Sequence, residues 1–335
     1  MNAYLLPSGL RDLLPPQARR QTAILASLLQ RFELFGYEQV IPPLMEFEET
    51  LLSGQGKAVE ERTFRVLDPL SHQMMGIRAD MTIQVARIAA SRLADAPLPL
   101  RLAYTGNVLR VTQGKLAAER QLSQAGIELI GSNAPTATAE TIIVALEALE
   151  KIGITQVVVD ISATGLLDGL ISEKDLDAIK TRDFSSFPPD SIIAQLSTCM
   201  GNINKKYELM RNIKLPELAA DLLVKILRLA ECVSNQFPHA ILSFDPFEGI
   251  NFEYHQGVCF SFYLPSIHEE IGRGGEYKLG DKNAVGVSLY VNRLLDIPTL
   301  KLAPPPKQIT IPFTKMGAEA KKQRDAGVAT LLGHD

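Results

Sequence analysis

Apolar and polar positions along the chain follow two periods, and the changes between them mark out its elements. Residues 109–131, LRVTQGKLAAERQLSQAGIELIG, have apolar ends and a polar middle carrying Gly114, Lys115 and Arg120. That pattern predicts strand, long loop, strand. Upstream, Ile24, Leu25, Leu28, Leu29, Phe32 and Phe35 recur three and four apart. They predict one apolar helix face, opened by Pro15-Pro16 and stopped by Gly36. GYEQVIPPLME (36–46) reads as a strand that Pro42 and Pro43 confine to an edge or an interface. TFRVLDPLSHQMMGIR (63–78) predicts a hairpin turning at Asp68-Pro69, and a helix follows from about Thr82 to Leu93. A second helix is predicted over 136–151 and a short strand over 155–162.

Residues 164–240 change character. They read as helical, with a Pro-Pro break at 188–189 and an amphipathic segment over 216–233, and they interrupt the strands as an insertion. Strands return in AILSFDP and NFEYHQGVCFSFYL. A Gly-rich turn GRGGEY (272–277) follows, then AVGVSLYVNRLL (284–295), a strand running into a helix. APPPK (303–307) signals a linker before a short tail. The strands come as hairpins, which predicts an α+β fold: an antiparallel sheet flanked by helices over 1–300, with 301–335 as linker and tail.

Composition narrows the partners. The 335 residues are 46% apolar and 21% charged, as in an ordinary globular protein. A net charge of −4 argues against nucleic acid as a partner. Cys199, Cys232 and Cys259 lack zinc-ligand spacing, so neither a metal site nor a disulfide framework is expected. Without a signal sequence or a long apolar run, the expected location is cytoplasmic, away from membranes.

Several polar residues stand in apolar surroundings. Positions 124, 126 and 128 share a face if the returning strand keeps its period of two. Gln124 and Glu128 then project together, with Gly126 leaving room between them. Glu for an ammonium and Gln for a carboxylate or ring nitrogen would suit a small zwitterion, and a solvated sheet face explains the same residues equally well. Asp80, two residues before Thr82, suits either a helix cap or a ligand contact. The glycines of GRGGEY allow close backbone approach to a ligand, or simply a tight turn. Tyr254 and His255 are placed on a strand, where a single histidine is more often structural. Arg293, amid apolar residues on a predicted helix, needs an anion or a carboxylate, because an unpaired buried charge costs about 3–5 kcal/mol.

Taken singly these residues are unspecific, but their order is not. GLRDLLP (9–15), GYEQVIPPLME, RADMT (78–82), the Arg110 hairpin, GGEY (274–277) and AVGVSLYVNRLL resemble the layout of a class II aminoacyl-tRNA synthetase core. In detail the chain is similar to histidyl-tRNA synthetase over about 7–300, apart from the insertion. The resemblance makes 36–46 a dimer-interface element. It also implies a histidine pocket of Asp80, Thr82, Arg110, Gln124, Glu128, Tyr254, His255 and Tyr277.

Other positions depart from that family. The resemblance requires Glu two residues after Arg110, where Thr112 stands. Tyr290 replaces a small glycine that lets adenine lie flat, and Asn292 replaces an acidic residue, although Arg293 is kept. Ile250 stands where an arginine polarises the histidine carboxylate, and Glu276 stands where a GGRYD-type turn has its cation. No anticodon-binding domain is expected.

An amino-acid site kept beside a lost activation site resembles the ATP phosphoribosyltransferase regulatory subunits. That resemblance implies no catalytic residue, cofactor or metal. It implies a short-form catalytic partner that condenses ATP with phosphoribosyl pyrophosphate at the first step of histidine biosynthesis, and L-histidine as feedback effector. The implied assembly is a hetero-octamer built on homodimers. A divergent histidine-activating ligase is the second reading, and a paralogue that senses tRNA is the third, disfavoured by the acidic charge.

Overall fold

The structure, a computed structural model, describes residues 5–111, 119–252, 254–312 and 317–333. Thr112, Gly114 and Lys115 lie outside the described residues. The chain divides into two compact units after Leu300.

The first unit opens with helix α1 (Gln17–Leu34), which buries Ile24, Leu28 and Phe32. Gly36 donates to Glu33 O at 2.9 Å and Tyr37 N–H to Phe32 O at 3.2 Å, a Schellman ending that requires the +79° φ of Gly36. The segment 36–46 forms only β1 (Glu38–Gln39) and the start of β2 (Met45–Phe47). Between them the Pro42 carbonyl accepts from buried Arg78 Nη1 at 3.0 Å, while Arg78 Nε donates to Asn107 O at 2.7 Å. The arginine thus gives the proline segment the hydrogen bonds that a strand ladder cannot. A helical turn α2 (Glu48–Leu51) and a 3-10 segment (Gly54–Arg62) lead to β3 (Phe64–Leu67) and β4 (Met74–Ile77). Their hairpin turns at Asp68, whose carboxylate accepts from the Leu70 and Ser71 N–H groups at 3.1 Å. Strands β2, β4 and β3 make a small sheet in that order, and helix α3 (Thr82–Ser91) follows.

The main sheet draws on strands from the whole unit. β5 (Leu100–Leu109) and β6 (Gln121–Ile130) are the predicted hairpin strands, followed by α4 (Ala137–Lys151) and β7 (Val158–Ala163). The inserted region contains α5 (Asp175–Thr181), α6 (Ile192–Cys199), a short β8 (Gly201–Asn202), α7 (Ile203–Asn212) and α8 (Glu217–Gln236). β9 (Ile241–Phe244), β10 (Val258–Leu264), β11 (Glu269–Leu279) and β12 (Lys282–Tyr290) complete it. Among the described residues the order is β1-β5-β6-β12-β11-β10-β7-β9-β8. The centre, from β5 to β7, is antiparallel as the hairpins predict. The pairs β1–β5 and β7–β9 are parallel, so the sheet is mixed and the fold α+β. Helix α4 packs against α1, α8 and the sheet.

Four further readings change. The strand expected at NFEYHQG begins only at Val258, so Tyr254 and His255 lie in a loop. Gly257 there has φ of +110°, and its N–H goes to Thr164 Oγ1 at 2.8 Å instead of to a neighbouring strand. GRGGEY is no turn but the interior of β11, where glycine is required by close neighbours: a Cβ on Gly274 would lie 2.7 Å from the Phe260 ring and overlap the Gly286 carbonyl. β12 runs into a single 3-10 turn (Val291–Leu294), not a helix. The insertion is not wholly helical, since β8 pairs with β9. Its α8 joins the layer behind the sheet, and the remainder wraps a small core of Leu167, Ile179, Ile193, Leu196 and Phe247.

In the second unit β13 (Gln308–Pro312) and β14 (Ala329–Gly333) pair in parallel around α9 (Ala318–Asp325). Among the described residues no helix is long and apolar enough to cross a membrane.

The packing at Gly274 yields a test. Gly274→Ala should lower unfolding stability by about 1–3 kcal/mol, because the carbonyl it meets is backbone and cannot swing away. A urea midpoint equal to that of the parent would show that β11 and β12 part there without penalty.

Candidate functional site

The site is built on the sheet face opposite α4. Glu276 of β11 bonds Thr138 of α4, so Arg273, Gly275 and Tyr277 project the other way. Cross-strand register aligns residues in rows on that face. One row contains Glu128, Gly286, Gly275 and Cys259; the next contains Tyr104, Gly126, Ser288, Arg273 and Ser261. Glu128, His255 and Tyr104 each lie against a glycine. A Cβ on Gly286 would come within 2.6 Å of Glu128 Oε1, and one on Gly275 within 2.6 Å of His255 Cδ2. One on Gly126 would overlap the Tyr104 ring. The room that Gly126 leaves is therefore filled by Tyr104.

Glu128 and Gln124 are wholly buried, which removes the alternative of a solvated face. Tyr277 donates to Glu128 Oε2 at 2.8 Å and Tyr104 to Oε1 at 3.4 Å. The Tyr104 hydroxyl also bonds Ser288 Oγ at 2.7 Å and Thr82 Oγ1 at 3.3 Å. Burial pushes the Glu128 carboxyl up to about 8, so it is mostly protonated at neutral pH. Burial, then the charge of Glu128, raises the Tyr277 and Tyr104 hydroxyls well above their ordinary value.

Over this network lies a cavity of about 420 Å³. Asp80, Thr82, Arg110, Tyr254, His255 and Tyr277 line it. Gln124 and Glu128 lie behind the wall: Glu128 contacts the lining Tyr277, and Gln124 Oε1 accepts from Met81 N–H at 3.3 Å. Asp80 is bonded at one oxygen only among the described residues. Its Oδ1 accepts from Thr82 N–H at 2.9 Å where α3 begins, while Oδ2 has no partner among the described residues. Tyr254 stacks on His255 with ring centroids 4.3 Å apart and meets Tyr277 edge-on at 6.3 Å. Burial, aided by the charge of Arg273, pulls the His255 imidazole down to about 3, so it is neutral. Its Nδ1 and the Nε2 of Gln124 are buried without a partner among the described residues.

Sequence reasoning missed Glu269, Glu270 and Arg273, which also line the cavity. Arg273 makes two bonds of 2.8 Å to Glu270, and Arg293 pairs with Glu269 at 3.1 Å. The Arg110 guanidinium lies 5.7 Å from the centre of the Tyr290 ring. The missed signal was the period of two through Arg273, Gly275 and Tyr277, hidden by reading GRGGEY as a turn. A shift of register opposite Phe262 and Tyr263 places Glu270 across from Tyr263 and Gly272 across from Phe262. That bulge brings Glu270 onto the face of Arg273.

The sheet, its flanking helices and this cavity define a core of the histidyl-tRNA synthetase class. The histidyl-tRNA synthetase family profile matches residues 9–220 and 187–294. Solved structures share the fold: an ATP phosphoribosyltransferase regulatory subunit/histidyl-tRNA synthetase from Bacillus halodurans has a TM-score of 0.81 at 24% identity, over 99% of this chain and 93% of that one. Histidyl-tRNA synthetase from Nostoc has a TM-score of 0.76 at 18% identity, over 99% and 86%. Among sequences, the ATP phosphoribosyltransferase regulatory subunit of Rhodospirillum centenum is 38% identical over 98% of this chain and 88% of its own length. That of Rhodospirillum rubrum is 40% identical over 87% and 81%. The chain belongs to the ATP phosphoribosyltransferase regulatory subunit family.

Glu128 predicts a pH dependence. Between about pH 4.5 and 8 the unfolded carboxyl is ionised and the folded one is not. The folded state then binds more protons, so stability falls as pH rises through that window. Glu128→Gln should flatten this part of the profile, which urea unfolding at pH 5 and pH 8 would measure. Equal slopes in parent and variant would place the carboxyl in a wetter setting.

Proposed function

We propose that the chain is a non-catalytic regulatory subunit of ATP phosphoribosyltransferase, that it works with a short-form catalytic subunit of that enzyme, and that its cavity receives L-histidine. The reading is carried by the division of the cavity wall. Asp80, Thr82, Tyr254 and Tyr277 line the cavity on the side suited to an amino acid, with the orphaned Nδ1 of His255 buried in the same wall. The two synthetase-motif arginines, Arg293 and Arg110, are engaged instead by Glu269 and Tyr290.

In this reading Asp80 Oδ2 and Thr82 take the ammonium, while Tyr254 and Tyr277 enclose the imidazole. Glu128 acts through Tyr277, fixing the direction of its hydroxyl. A feedback sensor needs only modest affinity, and a dissociation constant of about 10–100 μM corresponds to roughly −5.5 to −7 kcal/mol. Inhibition needs a coupling of about 1–3 kcal/mol, so histidine must favour one state of the complex over another. A homodimer through 36–46 fits β1 at the end of the sheet and Ile41 and Leu44 exposed beside it. A cytoplasmic setting fits three unpaired cysteines. The competing ligase reading is disfavoured by Tyr290, which occupies the face of Arg110 that adenine would need.

The decisive measurement is phosphoribosyl transfer by the cognate short catalytic subunit. Activity should appear on adding this chain and fall as histidine is titrated. Asp80→Ala should raise the histidine needed for half-inhibition about tenfold or more, measured against the uninhibited rate of the same variant. If the chain changes nothing, or if it supports pyrophosphate exchange with ATP and histidine, the regulatory reading fails.

A further inference from the structure

Loss of the arginine at position 250 leaves the proposed ligand's carboxylate without its expected partner. Ile250 does not replace it and is not part of the cavity wall. A cation is nevertheless present on the cavity side of β11. Arg273 lies in the row between Ser288 and Ser261, flanked on both sides by small side chains. Its Nε and Nη2 are fixed by the two oxygens of Glu270, both at 2.8 Å, and its guanidinium stands 5.1 Å from the centre of the Phe252 ring. This clamp uses one edge of the guanidinium fork. Nη1 has no partner among the described residues, and it is not among the atoms sealed from solvent. The side chain is 33% exposed, and the cavity is the space it lines.

The other cations of the wall are less suited. Arg293 is engaged through Nη1 with Glu269. Arg110 donates Nε to Ala79 O at 3.2 Å and faces Tyr290. Asp80 and Arg273 both line the cavity, so an anion and a cation face one space. That is the arrangement an α-amino acid requires.

We propose that Arg273, held rigid by Glu270 and Phe252, receives the ligand's carboxylate through the Nη1 edge that Glu270 does not use, and makes the site specific for an amino acid over the corresponding amine. The inference rests on the histidine pocket proposed above and deepens it. A planar guanidinium already fixed at one edge presents its remaining donors with little further loss of freedom. The bulge in β11 has a role here, since without it Glu270 would not share the face of Arg273.

The test compares L-histidine with histamine, which keeps the imidazole and the ammonium but lacks the carboxylate. Binding is measured by titration calorimetry on the full-length chain, alone and mixed with its catalytic partner. The parent should bind histidine more tightly than histamine. Arg273→Gln should lower histidine affinity about tenfold or more, the worth of a charge-assisted hydrogen bond, and leave histamine affinity unchanged. Because Arg273→Gln strands Glu270, the double variant R273Q/E270Q serves as a second test with no unpaired charge, and it should show the same loss of preference. Preference for histidine persisting in both variants would overturn the role of Arg273, as would a parent that binds both ligands equally. A parent that binds neither would overturn the pocket itself and this inference with it.

Discussion

The burial of Glu128 sets the terms for the rest of the structure. A carboxyl placed in the middle of a sheet and sealed from water must be protonated, hydrogen-bonded or both. Here it is both, and each condition constrains other residues. The hydroxyls come from Tyr277 on β11 and Tyr104 on β5, so the strands on either side of the central pair must stay in register. The space comes from Gly286 directly opposite, which can carry no side chain. Tyr104 needs Gly126 beside it for the same reason, and it passes the network on to Thr82 and Ser288 at the cavity wall. The glycines of β11 and β12 serve close packing: in extended strands they are the residues that let large polar side chains lie flat on the sheet.

Much of the fold was legible because it rests on local rules. The apolar stripe of α1, its glycine stop, the Asp68 hairpin and the pairing of β5 with β6 follow from period and turn chemistry alone. What escaped was set by tertiary contacts. A glycine cluster signals a turn unless a neighbouring strand forbids Cβ atoms, and nothing local in GRGGEY reveals the Phe260 ring or the Gly286 carbonyl. The period of two put Gln124 and Glu128 on one face, but only the packing of Tyr104 and Tyr277 decides whether that face is wet or dry. Tyr254 and His255 looked strand-borne because their flanks are apolar and aromatic; the +φ of Gly257 ends that strand before it reaches them.

The cavity keeps the geometry of a synthetase-like core while its charges are turned inward. An arginine that faces a nucleotide in an active enzyme would, without that ligand, be a poorly solvated cation with no counter-ion, a state that costs several kcal/mol when a buried pair is broken. Glu269 and Tyr290 each remove that liability from inside the chain, at Arg293 and Arg110. The consequence is asymmetric. In the proposed reading, groups suited to an amino acid remain available, whereas Arg110 and Arg293 have internal partners that a nucleotide would first have to displace.

The same logic applies to Glu276, where the resemblance has a cation. Its carboxylate accepts from Thr138 of α4, Lys225 of α8 and the Val258 N–H, and its carbonyl accepts from Gln256 N–H at 2.7 Å. The reversed charge is compatible with the fold because the groups around it are donors, and Lys225 supplies the counter-ion. Gly257 must be glycine not only for its φ but because a Cβ would strike that carboxylate. One substitution therefore ties the loop that carries Tyr254 and His255 to both helices behind the sheet. The Lys225 pair is too exposed to add much stability, so what these bonds contribute is position. The loop over the cavity is held by the helical layer, and a ligand that draws Tyr254 or His255 inward must act against α4 and α8.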